Sequence, residues 1–187
     1  MSKHKKVDEK KIKIKDEISG YDKDILIKTY RLPSGVLENF FIDDNKDSVQ
    51  IFAVCEDGKV LTVKQFRPGL ERVCVEVPGG GLESGEDPKE AAVRELIEET
   101  SFTGTLHHLF TDSYSPYSTG KRHCYVAWNC SQAKSTLDLD TNEFLRVGRL
   151  SLKEFEKMAL KGQVRGHDLL YPAAKLIERV YGVHILD

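Results

Sequence analysis

The sequence predicts an α/β fold preceded by a small antiparallel β unit. Three features carry that expectation: alternating apolar runs joined by turn residues in the first third, a capped helix in the middle, and further strand patterns followed by two helical ones. At 187 residues and 40% hydrophobic content the chain can bury one substantial core. Its 28 Lys and Arg nearly cancel its 30 Asp and Glu, leaving a formal charge of −2. That balance removes the general electrostatic drive toward nucleic acid, which is not an expected partner. No apolar run reaches the length of a membrane span, and the Lys-rich start lacks the hydrophobic segment of a secretory signal, so a cytoplasmic protein without a membrane partner is expected. Cys55, Cys74, Cys124 and Cys130 show no Cys-x-x-Cys spacing, which argues for thiols and against a zinc cluster.

Taken in order, residues 1–17 are lysine-rich and read as a flexible arm. Residues 18–47 form the small β unit: Ile25, Ile27 and Thr29 alternate with Lys28 and Tyr30, and Pro33-Ser34-Gly35 marks the turn to Val36–Ile42. Residues 48–187 form the main domain. It opens on a hairpin, Val49–Cys55 and Lys59–Phe66, around Glu56-Asp57-Gly58. A short strand, Val73–Val77, runs into Pro78-Gly79-Gly80-Gly81, a loop whose backbone can approach a ligand closely. Asp87 as cap and Pro88 at the first helical position start a helix running to about Thr100, with Glu90 at capping-box distance. Strands are expected at Leu106–Asp112 and His123–Asn129, and helices at Leu152–Leu160 and Leu169–Tyr181. His107 and His108, adjacent on a strand, point to opposite faces and do not make a ligand pair.

The central helix carries the chemistry. Glu95, Glu98 and Glu99 stand three and four residues apart and crowd one flank, while Ala92, Val93 and Leu96 are left for the core. Like charges so placed repel unless a cation neutralises them. Three carboxylates and a carbonyl from the glycine loop make an all-oxygen shell, which favours Mg²⁺ or Mn²⁺ over zinc. Arg94 has Glu90 and Glu98 within one turn as partners. Alone, such a helix more often describes a solvated acidic face, because Glu-rich exposed helices are common. The fuller spacing is more specific: Gly80, five residues, Glu86, seven residues, Arg94-Glu95-Leu96-Ile97-Glu98-Glu99, then two residues to Phe102. At average residue frequencies it recurs by chance on the order of once in a million chains of this length.

That spacing resembles the Nudix box, the signature of hydrolases acting on nucleoside diphosphates linked to another group. One position departs: Ser101 stands where the family pattern has glycine, at a backbone cost of about 1 kcal/mol if the left-handed conformation is kept. The resemblance implies an α/β/α sandwich around a mixed sheet, with the box as loop, helix and loop. Outside the box, Val63-Lys64-Gln65-Phe66-Arg67-Pro68, Glu76-Val77-Pro78-Gly79-Gly80 and Ser115-Pro116-Tyr117-Ser118 look like the ADP-ribose and nucleotide-sugar pyrophosphatase branch. The branch implies a homodimer joined through the amino-terminal β unit, a small-molecule nucleoside diphosphate derivative as substrate, and Mg²⁺, with Mn²⁺ as the other candidate.

By this resemblance Glu95, Glu98, Glu99 and the Gly79 carbonyl are the metal ligands. Glu143, in an acidic loop, is the candidate general base, joined in the catalytic set by Glu98 and Arg94. Arg67 suits bidentate phosphate contact and Glu76 a substrate-side role, with a structural salt bridge between them as the competing assignment. Phe40 and Tyr117 are candidates to stack on a base, against a plain core role. Glu86 supports the loop, and Trp128 belongs to the core. Two other functions stay open: a nucleotide-sugar sensor that binds without hydrolysis, motivated by Ser101, and an RNA 5′-end hydrolase, which requires a basic groove.

Overall fold

The computed structural model describes residues 4–15, 23–113, 115–133 and 145–186. The chain divides into two compact units, Met1–Asp47 with Asp112–Arg122, and Ser48–Thr111 with His123–Asp187. In the first unit, strands β1 (Lys5–Ile14), β2 (Lys23–Arg31) and β3 (Leu37–Asp43) form an antiparallel sheet in the order β1-β2-β3. The β2–β3 turn falls at Pro33-Ser34-Gly35, where Leu32 N–H donates to Val36 O and Gly35 takes φ +89°.

Strand β1 occupies the segment expected as an arm. Nine residues of β1 pair with β2 across one bulge, and Lys11 Nζ lies 2.9 Å from Asp24 and 2.7 Å from Asp44. Every residue of the strand is exposed. An edge strand needs no buried stripe, and lysine is the residue that guards an open edge, so its composition imitates a solvated tail.

In the second unit, β4 (Ser48–Cys55), β5 (Val60–Arg67), β6 (Arg72–Glu76), β7 (Phe102–Ser113), β8 (Lys121–Gln132), β9 (Arg146–Leu150) and β10 (Val164–Arg165) build a seven-stranded sheet. Its order is β10-β6-β5-β4-β8-β7, with β9 also on β5. The sheet is mixed: β5 runs antiparallel to β4, β6 and β9, whereas β10 joins β6 in parallel.

Strand alternation explains why helices cover both faces. On β4, Val49, Ile51 and Ala53 pack with Ala91, Ala92 and Leu96 of α1 (Pro88–Thr100), while Phe52 and Val54 pack with Phe155 of α2 (Leu152–Leu160) and Ile177 of α3 (Leu170–Tyr181). The result is the expected α/β/α sandwich. Trp128 stacks on Tyr181 beside the second cluster, and His107 and His108 contact Tyr181 and Tyr125 respectively. Val93 differs from expectation: it is exposed, and Ala91 takes the core position. Among the described residues no helix is long and apolar enough to cross a membrane.

Candidate active site

Helix α1 begins as its sequence requires, with the Asp87 side chain accepting from Lys89 N–H at 2.8 Å and Pro88 in the first turn. Its apolar stripe fixes the rotation. With Ala92 and Leu96 buried in the sheet, the acidic flank turns to the loop that follows β6.

That loop lies along β4, where Ile51 N–H donates to Pro78 O and Val49 N–H donates to Gly80 O, both at 2.9 Å. Between them, Gly79 N–H donates outward to Glu99 Oε2 at 2.8 Å. Gly79 has no room for a side chain, and one at Gly80 would displace a carboxylate. A Cβ on Gly79 would strike Val49 O, and one on Gly80 would fill the space held by the Glu95 carboxylate.

Arg94 binds the assembly together. Its Nε and Nη2 grip Glu86 at 2.8 and 2.9 Å. Its Nη1 reaches Glu95 Oε1 and Glu98 Oε2, each at 2.9 Å, and Nη2 also donates to Gly81 O at 3.0 Å. The helix neighbour at Glu98 was expected; the partner on the loop is Glu86 in place of Glu90. Glu86 also accepts from Glu83 N–H at 2.8 Å, so one guanidinium ties helix to loop. Hydrogen bonds from Arg94 hold the Glu86 carboxyl below the ordinary glutamate range, and the carboxylates hold the Arg94 guanidinium firmly protonated.

Glu99 is buried, only 4% exposed, whereas Glu95 and Glu98 border the same loop more openly. Among the described residues no three His, Cys, Asp or Glu side chains converge on one point as metal ligands, because Glu95 and Glu98 each turn an oxygen to Arg94. The donor set nevertheless fits a hard divalent ion. It is all carboxylate and carbonyl oxygen, and the missing Cβ at Gly80 is what lets the Glu95 carboxylate lie against the loop.

Ser101 caps α1 in the left-handed conformation, φ +59°, and donates its N–H to Ile97 O at 2.8 Å. The geometry that glycine would supply is therefore present with serine.

The other candidates fall in two places. Arg67 and Glu76 pair bidentately at 2.8 and 2.8 Å in the second unit, as the salt-bridge assignment anticipated. Arg165 adds a third charge, with Nε 3.5 Å from Glu76 Oε2. Sequence reasoning missed it because nothing local links residue 165 to residue 76. Phe40 and Tyr117 lie in the first unit, together lining a cavity of about 720 Å³ with Lys28 and Tyr30. Tyr30 meets Phe40 edge-to-face at 5.7 Å, and the segment bearing Tyr117 is tied to β3 by Asp43 N–H donating to Tyr117 O at 2.8 Å. Glu143 lies outside the described residues.

A glycine loop locked to a helix of clustered carboxylates through Arg94 and Glu86, on a two-faced mixed sheet, defines a phosphoanhydride hydrolase of the Nudix class. The NUDIX domain family matches residues 44–173, and the chain belongs to the Nudix hydrolases, which generally use divalent metals. It is 35% identical to an ADP-ribose pyrophosphatase of Bacillus subtilis (strain 168) over 162 residues, 86% of this chain and 88% of that protein. It is 34% identical to a methanol dehydrogenase activator of Bacillus methanolicus over 149 residues, 79% of this chain and 80% of that one. In fold it resembles an ADP compounds hydrolase, with a TM-score of 0.78 and 19% identity, covering 98% of both chains.

Proposed function

We propose that this protein hydrolyses the pyrophosphate bond of ADP-ribose or a related nucleoside diphosphate sugar, releasing a nucleoside monophosphate and a sugar phosphate, with Mg²⁺ as the ion. The observation that carries the reading is the acidic flank of α1 held against the glycine loop by Arg94 and Glu86. The relative named ADP-ribose pyrophosphatase, aligned over most of both chains, supports the choice of substrate.

Glu95, Glu98, Glu99 and the Gly79 carbonyl would hold the ion. Bound there, it would offset the negative charge of a diphosphate and make a coordinated water more acidic. Arg94 holds Glu95 and Glu98 at fixed spacing before any ion arrives, so the carboxylates need little reorganisation. Arg67, paired with Glu76 and 41% exposed, would contact a phosphate through its remaining N–H groups. Phe40 and Tyr117 offer aromatic faces to a base. In the reaction, the water oxygen bonds to one phosphorus, the bridging oxygen leaves on the other phosphate, and Glu143 takes the water's proton.

The same reading takes the protein as a cytoplasmic homodimer. Four buried cysteines, all thiols, fit a reducing compartment. Exposed Ile12 and Phe41, each registered opposite an isoleucine of β2, give the three-stranded sheet an apolar face suited to a second copy.

The test is a screen of ADP-ribose, nucleotide sugars and dinucleoside polyphosphates with Mg²⁺ or Mn²⁺, products identified by mass. ADP-ribose or a nucleotide sugar should give a nucleoside monophosphate, and Glu99→Gln should lower kcat/KM at least about a hundredfold. Absence of turnover on every substrate, or full activity in Glu99→Gln, would end the proposal.

A further inference from the structure

The cavity of about 720 Å³ in the first unit is lined by the rings of Tyr30, Phe40 and Tyr117, yet its polar groups decide which molecule fits. Lys28 stands opposite Phe40 on β3 and opposite Glu9 on β1. Strand alternation therefore puts its side chain on the face of Phe40, away from the face that carries Phe41. That side chain is 24% exposed. Its ion-pair partner, Glu9 Oε2, is 3.9 Å away and already accepts from Lys6 Nζ at 3.0 Å. Among the described residues the Lys28 ammonium has no other ion pair and no hydrogen bond. An ammonium so far withdrawn from water without a close acceptor is costly, and a bound acceptor removes that cost.

Ser118, on the same cavity, has a matching bias. Its Oγ accepts from Asn45 Nδ2 at 3.1 Å and from Gly120 N–H at 3.3 Å. Both lone pairs are engaged, so the hydroxyl hydrogen is left to donate. The other polar groups there, the His4 ring and the hydroxyls of Tyr30 and Tyr117, can donate or accept. Donors among aromatic rings suit a flat ring that presents acceptors along one edge, as a nucleobase does. A bare phosphate would take the donors and leave the rings uncovered.

We propose that Lys28 is the specificity-determining residue of this cavity, donating to an acceptor nitrogen of the adenine ring while the Ser118 hydroxyl donates beside it. The proposal rests on the reading of Phe40 and Tyr117 as residues that stack on the base. It adds the contact through which the base edge, and not only its flat face, is recognised.

Calorimetric titration compares wild type, Lys28→Met and Ser118→Ala, with thermal melts alongside to check folding. The ligands are AMP, the AMP analogues in which carbon replaces N1, N3 or N7, and inorganic pyrophosphate. Lys28→Met keeps most of the side chain's length and loses its donors. It should weaken AMP about five- to twentyfold and leave pyrophosphate within about twofold, and KM for ADP-ribose should rise by a factor similar to that for AMP. Ser118→Ala should weaken AMP about two- to fivefold. One of the carbon analogues should bind wild type as weakly as AMP binds Lys28→Met, and should lose nothing further in that variant. An unchanged AMP affinity in Lys28→Met overturns the proposal. So does an equal loss of AMP and pyrophosphate, which would mean that Lys28 serves phosphate, and so does a loss of AMP that no analogue reproduces. A wild type that shows this pattern with AMP but does not hydrolyse ADP-ribose would defeat the substrate reading and leave Lys28 in its role; hydrolysis of ADP-ribose without the pattern would defeat the role alone.

Discussion

Replacing Arg94 by lysine preserves the charge and removes the fork. The guanidinium makes five hydrogen bonds, two to Glu86 and one each to Glu95, Glu98 and Gly81 O. An ammonium has three donors on one nitrogen and cannot span a loop carboxylate and two helix carboxylates at once. At least two charge-assisted bonds are therefore lost. Arg94 retains a quarter of its side-chain exposure, so each bond contributes about 1 kcal/mol net, and the loss amounts to about 2–3 kcal/mol. For a chain of this size that lowers Tm by about 5–10 °C. The carboxylates also lose their fixed spacing, and kcat/KM should fall about 10- to 100-fold. Calorimetry at neutral pH, with steady-state hydrolysis on the same samples, checks both. A Tm within about 1 °C of wild type and unchanged kcat/KM would refute the view that Arg94 organises the site.

Further outcomes follow from the same geometry. Gly80→Ala inserts a Cβ into the space of the Glu95 carboxylate and should abolish most hydrolysis while leaving the far-ultraviolet circular dichroism unchanged; wild-type activity would show that the cradle is not needed. Ser101→Gly relieves a left-handed serine and should raise Tm by about 2–4 °C with kcat intact, whereas a lower Tm would show that the serine is favoured there. The Glu86 carboxyl, depressed by Arg94, stabilises the fold above its unfolded pKa, and that contribution disappears as pH falls through the lower folded value. Stability should therefore drop below about pH 4.5 in wild type and drop less in Glu86→Gln, as read by urea midpoints across pH; parallel curves would contradict it.

How much could be read from the chain follows from the range of the interactions. Asp87 and Pro88 announce the start of α1, and the three- and four-residue spacing of Glu95, Glu98 and Glu99 places them on one flank, because both signals lie within one or two helical turns. The hairpin turns at Gly35 and Gly58 are local in the same way, each needing positive φ. The bond from Arg94 to Glu86 crosses from helix to loop, so helical periodicity alone pointed to Glu90. Arg165 stands 89 positions from Glu76 in the chain and meets it only through the parallel pairing of β10 with β6. Strand β1 was hidden by lysines that an exposed edge permits, and Val93 yielded its core place to Ala91 because periodicity does not settle which of two neighbouring positions turns inward. The base expected at Glu143 is carried by sequence resemblance alone.

The most direct measurement is Mn²⁺ binding followed by electron paramagnetic resonance, with a non-hydrolysable ADP-ribose analogue present, in wild type, Glu95→Gln and Glu99→Gln. Mn²⁺ should bind the wild type, with about tenfold or greater loss of affinity in each variant. Equal Mn²⁺ affinity in all three proteins would contradict the assignment of this acidic flank as the cation site.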